Sequence, residues 1–237
     1  MKAVILAGGL GSRLRPFTEV IPKPLLPLGE KSLMEIQITA LRDHGFNEIY
    51  VATNHMADFV EAFLGDGSKY GVKLIFSREA KPLGTCGPLT LLKANLTEPF
   101  LLMNGDVLTK LDFRVFHDFA GAQDSLLTVG TKIISTPFRF GNVKVNASNH
   151  IVEIEEKPDL NFEILSGIYC MKPGIFDFIP DNAYFGMDTL LKEMMAQRRT
   201  ISRYLIREYW LDIGQVEDYS QARKAYTEHF SSLAESK

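Results

Sequence analysis

The chain has 237 residues, of which 46% are apolar and 23% charged, with a formal net charge of −3. This is the balance of a globular protein able to bury about three quarters of its unfolded surface; it excludes disorder, and the weak net charge argues against nucleic acid as a partner. The longest apolar runs, such as Phe100 to Met103, are of strand length and no basic region precedes a leader-like stretch, so neither a membrane span nor secretion is expected.

In chain order, Lys2 to Ala7 reads as a short buried strand, followed at once by Gly8-Gly9-Leu10-Gly11-Ser12-Arg13-Leu14-Arg15-Pro16. Three glycines let backbone N–H groups approach an anion and two arginines add fixed charge, the logic of a phosphate cradle. The dinucleotide fingerprint fails because Leu14 stands at its third glycine, and a P-loop fails because Arg13 stands at its second. Pro22 and Pro24 then stiffen the backbone around Lys23, a pinned point charge suited to phosphate. Ser32 to Glu35 has the form of a capping box, opening a helix that ends at Gly45. Glu48 to Thr53 reads as a strand, Ala57 to Leu64 as a helix, Val72 to Ser77 as a strand, Gly87 to Ala94 as a short helix and Pro99 to Met103 as a buried strand. This alternation is Rossmann-like and predicts a parallel sheet.

The second half changes character. Ser125 to Ile133, Gly141 to Val145, His150 to Glu155 and Ile164 to Met171 are strand-like runs separated by Gly, Asn and Pro. Met187 to Gln197 is helical, Ile201 to Ile206 and Tyr209 to Ile213 are strands, and Gln215 to Phe230 is an amphipathic helix. No repeat, linker or charge block interrupts the chain, so one domain over residues 1–237 is expected, with a nucleotide-binding N-terminal part and a second substrate held by roughly residues 107–214. Cys86 and Cys170 lie far apart and in no metal-ligand spacing, which fits a reducing cytoplasm.

Taken together, residues 8–16 and 22–24 form one long irregular pattern that resembles the sugar-1-phosphate nucleotidylyltransferases, the nucleoside-diphosphate-sugar pyrophosphorylases. The resemblance extends to about Phe230. It implies a three-layer α/β/α fold with a mixed, mainly parallel central sheet, and a reaction joining a nucleoside triphosphate to a sugar 1-phosphate with release of pyrophosphate. Asn104-Gly105-Asp106 ends a buried strand, where open sheets collect ligands; by resemblance Asp106 holds the catalytic Mg²⁺, with Asn104 and Gly105 near the sugar phosphate. Asp212, in Trp210-Leu211-Asp212-Ile213-Gly214, is either a helix cap or, by resemblance, the second metal ligand. Magnesium needs only one or two protein carboxylates when phosphate oxygens complete its shell.

The remaining site residues follow the same resemblance. Arg13 would stabilise the α-phosphate and the leaving pyrophosphate, and Lys23 would bridge phosphates. The nucleotide would lie against Leu6, Ala7, Gly8, Gly9, Gly11 and Ser12, with its base beside Glu79, Pro82, Leu83, Gly84 and Thr85. Residues 82–87 are similar to the mannose-1-phosphate guanylyltransferase branch, with Cys86 where alanine is usual, so GTP is the expected nucleotide, with UTP, CTP or dTTP as alternatives. Glu156 and Lys157 would hold the sugar 1-phosphate, beside Ser166, Gly167 and Tyr169; as isolated features these read as solvated surface and a bulged strand. Mannose or a heptose is the expected sugar. A nonenzymatic regulatory relative would lack one of Arg13, Lys23, Asp106, Lys157 or Asp212, and all five are present. No hexapeptide repeats build an appended β-helix, so a stand-alone enzyme is expected, and Phe138 and Phe140 are candidates for an interface between copies.

Overall fold

A computed structural model describes residues 1–230. Strands β1 (Lys2–Leu6), β2 (Glu48–Thr53), β3 (Lys73–Arg78) and β4 (Phe100–Asn104) form a parallel group, with α1 (Leu33–Asp43) and α2 (Ala57–Leu64) between them in sequence. Strand β5 (Val107–Thr109) and α3 (Phe113–Ala122) lead into β6 (Leu127–Pro137), β7 (Asn142–Val145), β8 (Ile151–Glu155) and β9 (Asp159–Met171). The chain continues through α4 (Met187–Ala196), β10 (Ile201–Leu205), β11 (Trp210–Asp212) and α5 (Val216–His229).

The central sheet has seven strands in the order β10-β6-β9-β4-β1-β2-β3, and β9 alone runs antiparallel to its neighbours β4 and β6. Side chains alternate across each strand, so Ala3 and Ile5 pack with Met34 and Ile38 of α1, Val60 of α2 and Phe116 of α3 on one face. Val4, Tyr50 and Leu102 face the opposite layer, with Leu190 and Met194 of α4 and the 3-10 turns Gly87–Leu92 and Pro173–Phe178. The three-layer, mixed and mainly parallel architecture is the one read from the sequence. Burial on both faces explains why β1 and β4 appear as unbroken apolar runs.

Local signals hold where α1 and α3 begin. Ser32 and Glu35 exchange capping-box bonds, the Glu35 N–H donating to Ser32 Oγ at 3.3 Å and the Ser32 N–H to Glu35 Oε2 at 2.8 Å. Helix α3 and strand β5 lie outside the expected elements. The start of α3 is nevertheless marked by Asp112, whose side chain accepts the Val115 N–H at 2.9 Å, and by buried Phe113, Phe116 and Ala120 at helical spacing. The expected helix at residues 87–94 is instead a 3-10 turn over Gly87–Leu92.

Two features frame the functional end of the sheet. Strands β5 and β11 pair antiparallel, Val107 opposite Asp212, and α5 packs Tyr219, Ala222 and Tyr226 against Leu14, Leu26, Leu28 and Leu33. The Tyr219 hydroxyl donates to the Pro27 carbonyl at 2.6 Å, tying the C-terminal helix to the proline-rich segment. At the other side, β10 pairs with β6 only at residues 127–131 and β4 with β9 only at residues 168–171, so the outer parts of β6 and β9 leave the sheet as a two-stranded ladder. The β7–β8 ribbon lies between them in sequence.

Candidate active site

Strands β1 and β4 are parallel neighbours with Leu6 opposite Asn104, so their carboxyl ends open on one edge of the sheet. The Gly105 N–H donates to the Leu6 carbonyl at 2.9 Å, and a Cβ at Gly105 would stand 2.6 Å from that oxygen. Only glycine permits this approach, which brings Asp106 beside the loop of residues 8–16. At the other end of that loop Gly11 has φ +60°, and its carbonyl accepts a bond from Thr18 Oγ1 at 2.7 Å. Buried Gln37 on α1 donates from Nε2 to the carbonyls of Asn104 at 3.1 Å and Val107 at 2.8 Å, bracketing the Asp106 turn from below.

Lys23 opens a single 3-10 turn, Lys23–Leu25, with Pro22 before it and Pro24 within it. Its Nζ lies 2.5 Å from Asp106 Oδ2, and only 11% of the lysine side chain is exposed. The other carboxylate oxygen, Asp106 Oδ1, is buried without a hydrogen-bond partner. Asp212 arrives from β11, where the next residue, Ile213, donates its N–H to the Asp106 carbonyl at 2.9 Å. Asp212 is exposed at the end of β11, but partial desolvation and the negative charge of Asp106 push its carboxyl up to about 6, against the opposing pull of Lys23 and Arg13. A carboxylate raised by its neighbour's charge, beside one with an unmatched buried oxygen, fits a hard divalent cation. Among the described residues no group of three or more His, Cys, Asp and Glu could hold a metal, and two carboxylates alone would leave most of an octahedral shell to water or a phosphate-bearing ligand.

The loop after β3 forms the facing wall. Glu79 Oε2 accepts the Leu83 N–H at 2.8 Å, and burial raises its carboxyl above the ordinary range. Gly84, at φ +80°, lies so close to the Phe185 carbonyl that a Cβ would stand 2.7 Å from its oxygen. Phe185 locks the loop by donating to Leu83 O at 2.9 Å and accepting from Cys86 N–H at 2.9 Å, while Thr85 Oγ1 accepts from Met187 N–H at 2.7 Å. Cys86 is fully buried and burial pushes its thiol up to about 12, consistent with a packing role.

Between these walls lies a cavity of about 510 Å³. It is lined by Leu6, Ala7, Gly8, Gly9, Gly11, Ser12, Arg13 and Lys23 from the first segments, by Glu79, Pro82, Gly84 and Thr85 from the facing loop, and by Asn104, Gly105 and Asp106. Residues from three distant stretches of sequence thus line one cavity. Leu83 is among the expected contacts but is 1% exposed and serves the loop through its backbone. Ser166 and Tyr169 are also buried: Ser166 Oγ donates to the Gly130 carbonyl at 2.7 Å, and Tyr169 packs in the core with Leu102 and Val129. Gly167 has φ +73° and lies against Asn104, whose Nδ2 a Cβ would approach to 2.7 Å. Glu156 and Lys157 stand outside the cavity on the exposed arm, 3.9 Å apart. Asn54, Tyr184 and Gly214 line the cavity without having been anticipated. Tyr184 is 73% exposed in a loop whose distance from the glycine segment hides it from sequence reading, as it does Gln37 on a helix.

The sequence profile of the nucleotidyl transferase family matches residues 2–229. The chain belongs to that family. It is 32% identical over 241 residues to the UTP–glucose-1-phosphate uridylyltransferase of Synechocystis sp., a match covering 94% of this chain and 62% of that protein. It is 33% identical to the Oryza sativa subsp. japonica protein named Probable mannose-1-phosphate guanylyltransferase 1, over 100% of this chain and 68% of the relative. A Bacillus anthracis crystal structure, provisionally described as a glucose-1-phosphate thymidylyltransferase in complex with a sucrose, matches with a TM-score of 0.78 at 26% identity, over 99% of both chains. The chain spans between 60% and 68% of the length of the curated relatives it matches. The names of these similar proteins differ in the base transferred: uridylyl, guanylyl and thymidylyl.

Proposed function

We propose that the protein is a Mg²⁺-dependent sugar-1-phosphate nucleotidyltransferase that uses GTP and a mannose- or heptose-type sugar 1-phosphate. The observation that carries the reading is the convergence of the glycine loop, the Lys23–Asp106 pair and Asp212 at one end of the sheet. In the reaction, a phosphate oxygen of the sugar 1-phosphate attacks the α-phosphorus of the triphosphate, and the bond from that phosphorus to the pyrophosphate oxygen breaks. The attacking phosphate is already an anion at neutral pH, so no side chain need act as nucleophile. Backbone N–H groups of residues 8–12 cradle the phosphates, and Arg13 neutralises charge developing toward the pyrophosphate. Lys23, held between prolines, spans from Asp106 toward the phosphates. Asp106 and Asp212 would hold Mg²⁺, which when bound supplies electrostatic stabilisation to a phosphoryl oxygen.

The base assignment rests on residues 79–87. Glu79 presents a partly buried carboxylate to the cavity, an acceptor suited to the N1–H and 2-amino donors of guanine. Its backbone-anchored loop keeps that acceptor in place. Glu156 and Lys157 supply the sugar-phosphate contacts in this reading, from the arm that borders the sheet. The cytoplasm is the proposed compartment; no helix among the described residues is long and apolar enough to cross a membrane.

The deciding experiment is pyrophosphate release with Mg²⁺, crossing GTP, UTP, CTP, dTTP and ATP against hexose and heptose 1-phosphates. Release with GTP and one mannose- or heptose-type sugar is expected. Release with a different nucleotide overturns the reading of Glu79 and keeps the chemistry. No release with any pair overturns the enzymatic assignment for this set of substrates.

A further inference from the structure

The proposed reaction leaves unused one aromatic residue of the cavity, Tyr184, whose side chain is 73% exposed. Among the described residues it has no hydrogen-bond or ring-stacking partner. Its backbone, by contrast, is fixed from both sides. The Ala183 carbonyl lies so close to Gly87 that a Cβ there would stand 2.4 Å from its oxygen, and the Phe185 carbonyl meets Gly84 in the same way at 2.7 Å. That Phe185 carbonyl also accepts the N–H groups of Cys86 at 2.9 Å and Gly87 at 3.1 Å, and the Phe185 N–H donates to the Leu83 carbonyl at 2.9 Å. On the other side Asn182, at φ +49°, donates its N–H to Thr90 Oγ1 at 3.3 Å. The Phe185 side chain is buried in the core with Cys86 and Leu89, while its neighbour Tyr184 turns to the cavity.

A ring left in water on an anchored backbone adds little to folding, but it is preorganised for a flat ligand. Tyrosine offers a large aromatic face at the entropic cost of only two side-chain torsions. The position of Tyr184 indicates which part of a ligand it meets. The glycines and cations of the first segments suit phosphate, whereas the loop of Tyr184 backs the segment that brings Pro82, Gly84 and Thr85 to the cavity. A nucleobase has a polar edge, for which Glu79 is the acceptor in the reading above, and two π faces that take an aromatic partner whatever the base. Glu156 and Lys157, assigned there to the sugar phosphate, stand outside the cavity, which favours the base over the sugar at this wall.

We propose that Tyr184 stacks on the nucleobase of the bound triphosphate and covers it from the loop that anchors residues 83–87. This rests on the reading of the cavity as a nucleoside triphosphate site. Calorimetric titration with Mg²⁺ and without sugar 1-phosphate tests it, using GTP, UTP, CTP, dTTP and ATP beside inorganic tripolyphosphate, which offers the phosphates without a base. Tyr184→Ala is expected to weaken each nucleotide that binds the wild type by about tenfold, the scale of one base–aromatic stack, and to leave tripolyphosphate unchanged. Tyr184→Phe is expected to keep wild-type affinity, and both variants the wild-type melting temperature. Tyr184→Trp adds an indole to a chain whose single tryptophan is Trp210, and the added emission should be quenched by a bound nucleotide but not by tripolyphosphate. Nucleotide binding that Tyr184→Ala leaves unchanged, an equal loss for tripolyphosphate, or a Tyr184→Phe chain as weak as Tyr184→Ala overturns the stack alone. A wild-type chain that binds none of the five nucleotides overturns the reading of the cavity, and the stack with it.

Discussion

Lys23 and Lys157 each precede a proline, yet the structure treats them oppositely. Lys23 lines the cavity at the sheet edge, little exposed and with its ammonium fixed on Asp106. Lys157 sits on an arm with both faces in solvent, its side chain 69% exposed. The cavity wall is built on parallel strands covered on both sides, which positions groups before any ligand arrives. The arm hangs from a two-stranded ladder beyond the seven-stranded packing. The two lysines that the proposed reaction uses are thus divided between a preformed cavity and an exposed arm outside it.

The strongest attack on the preformed half is Asp106→Asn. It removes the charge that pairs with Lys23 and would hold Mg²⁺, and several kcal/mol of transition-state stabilisation should be lost. Pyrophosphate release should fall steeply while thermal unfolding changes little; near-normal turnover would remove Asp106 from the chemistry and with it the contrast drawn here. Lys157→Ala probes the other half. Loss of a charged hydrogen bond of about 1.5–3 kcal/mol predicts a rise in KM for the sugar 1-phosphate with nucleotide affinity unchanged. Unchanged sugar kinetics would confine catalysis to the cavity wall.

Gly105→Ala asks how rigid the wall is. A Cβ 2.6 Å from the Leu6 carbonyl has no room, so the β1–β4 junction must shift, at a cost of about 1–3 kcal/mol in stability. Denaturant unfolding and activity should fall together; loss of neither would show that Asp106 is held by other means, Gln37 first among them. The smallest effect is at the start of α1. Ser32→Ala should cost about 1 kcal/mol by removing the cap. Burial raises the Glu35 carboxyl, but bonds from Ser32 and Tyr70 outweigh it and hold the group below its ordinary value. That contribution is present above the unfolded carboxyl's pKa and is lost as pH falls through the lower folded value, so acid unfolding of Ser32→Ala should start from a lower stability and show a shallower dependence on pH in this range.

Legibility followed sequence distance. The glycine loop, the Lys23-Pro24 pair and the Asn-Gly-Asp turn are local patterns whose chemistry depends on neighbours along the chain, and all reach the cavity. Helix α1 was legible for the same reason, through its capping box. Gln37 was not, because its role depends on carbonyls at Asn104 and Val107, more than sixty residues away. Tyr169 and Ser166 show the converse: a strand sequence reveals alternation but not which face meets the core when both faces are covered, and both residues turn inward.

By itself the sequence determined the alternating strands and helices, the caps, the turns that only glycine permits and the charges needed for phosphate, since each depends on backbone preferences and groups a few residues apart. Only the tertiary structure decided that Lys23 meets Asp106, that Asp212 comes within reach of its charge and that Lys157 stands apart. Those outcomes depend on strand order, because a carboxylate's environment is set by what the fold brings within a few ångströms of it, and strand order brings together residues that are a hundred positions apart.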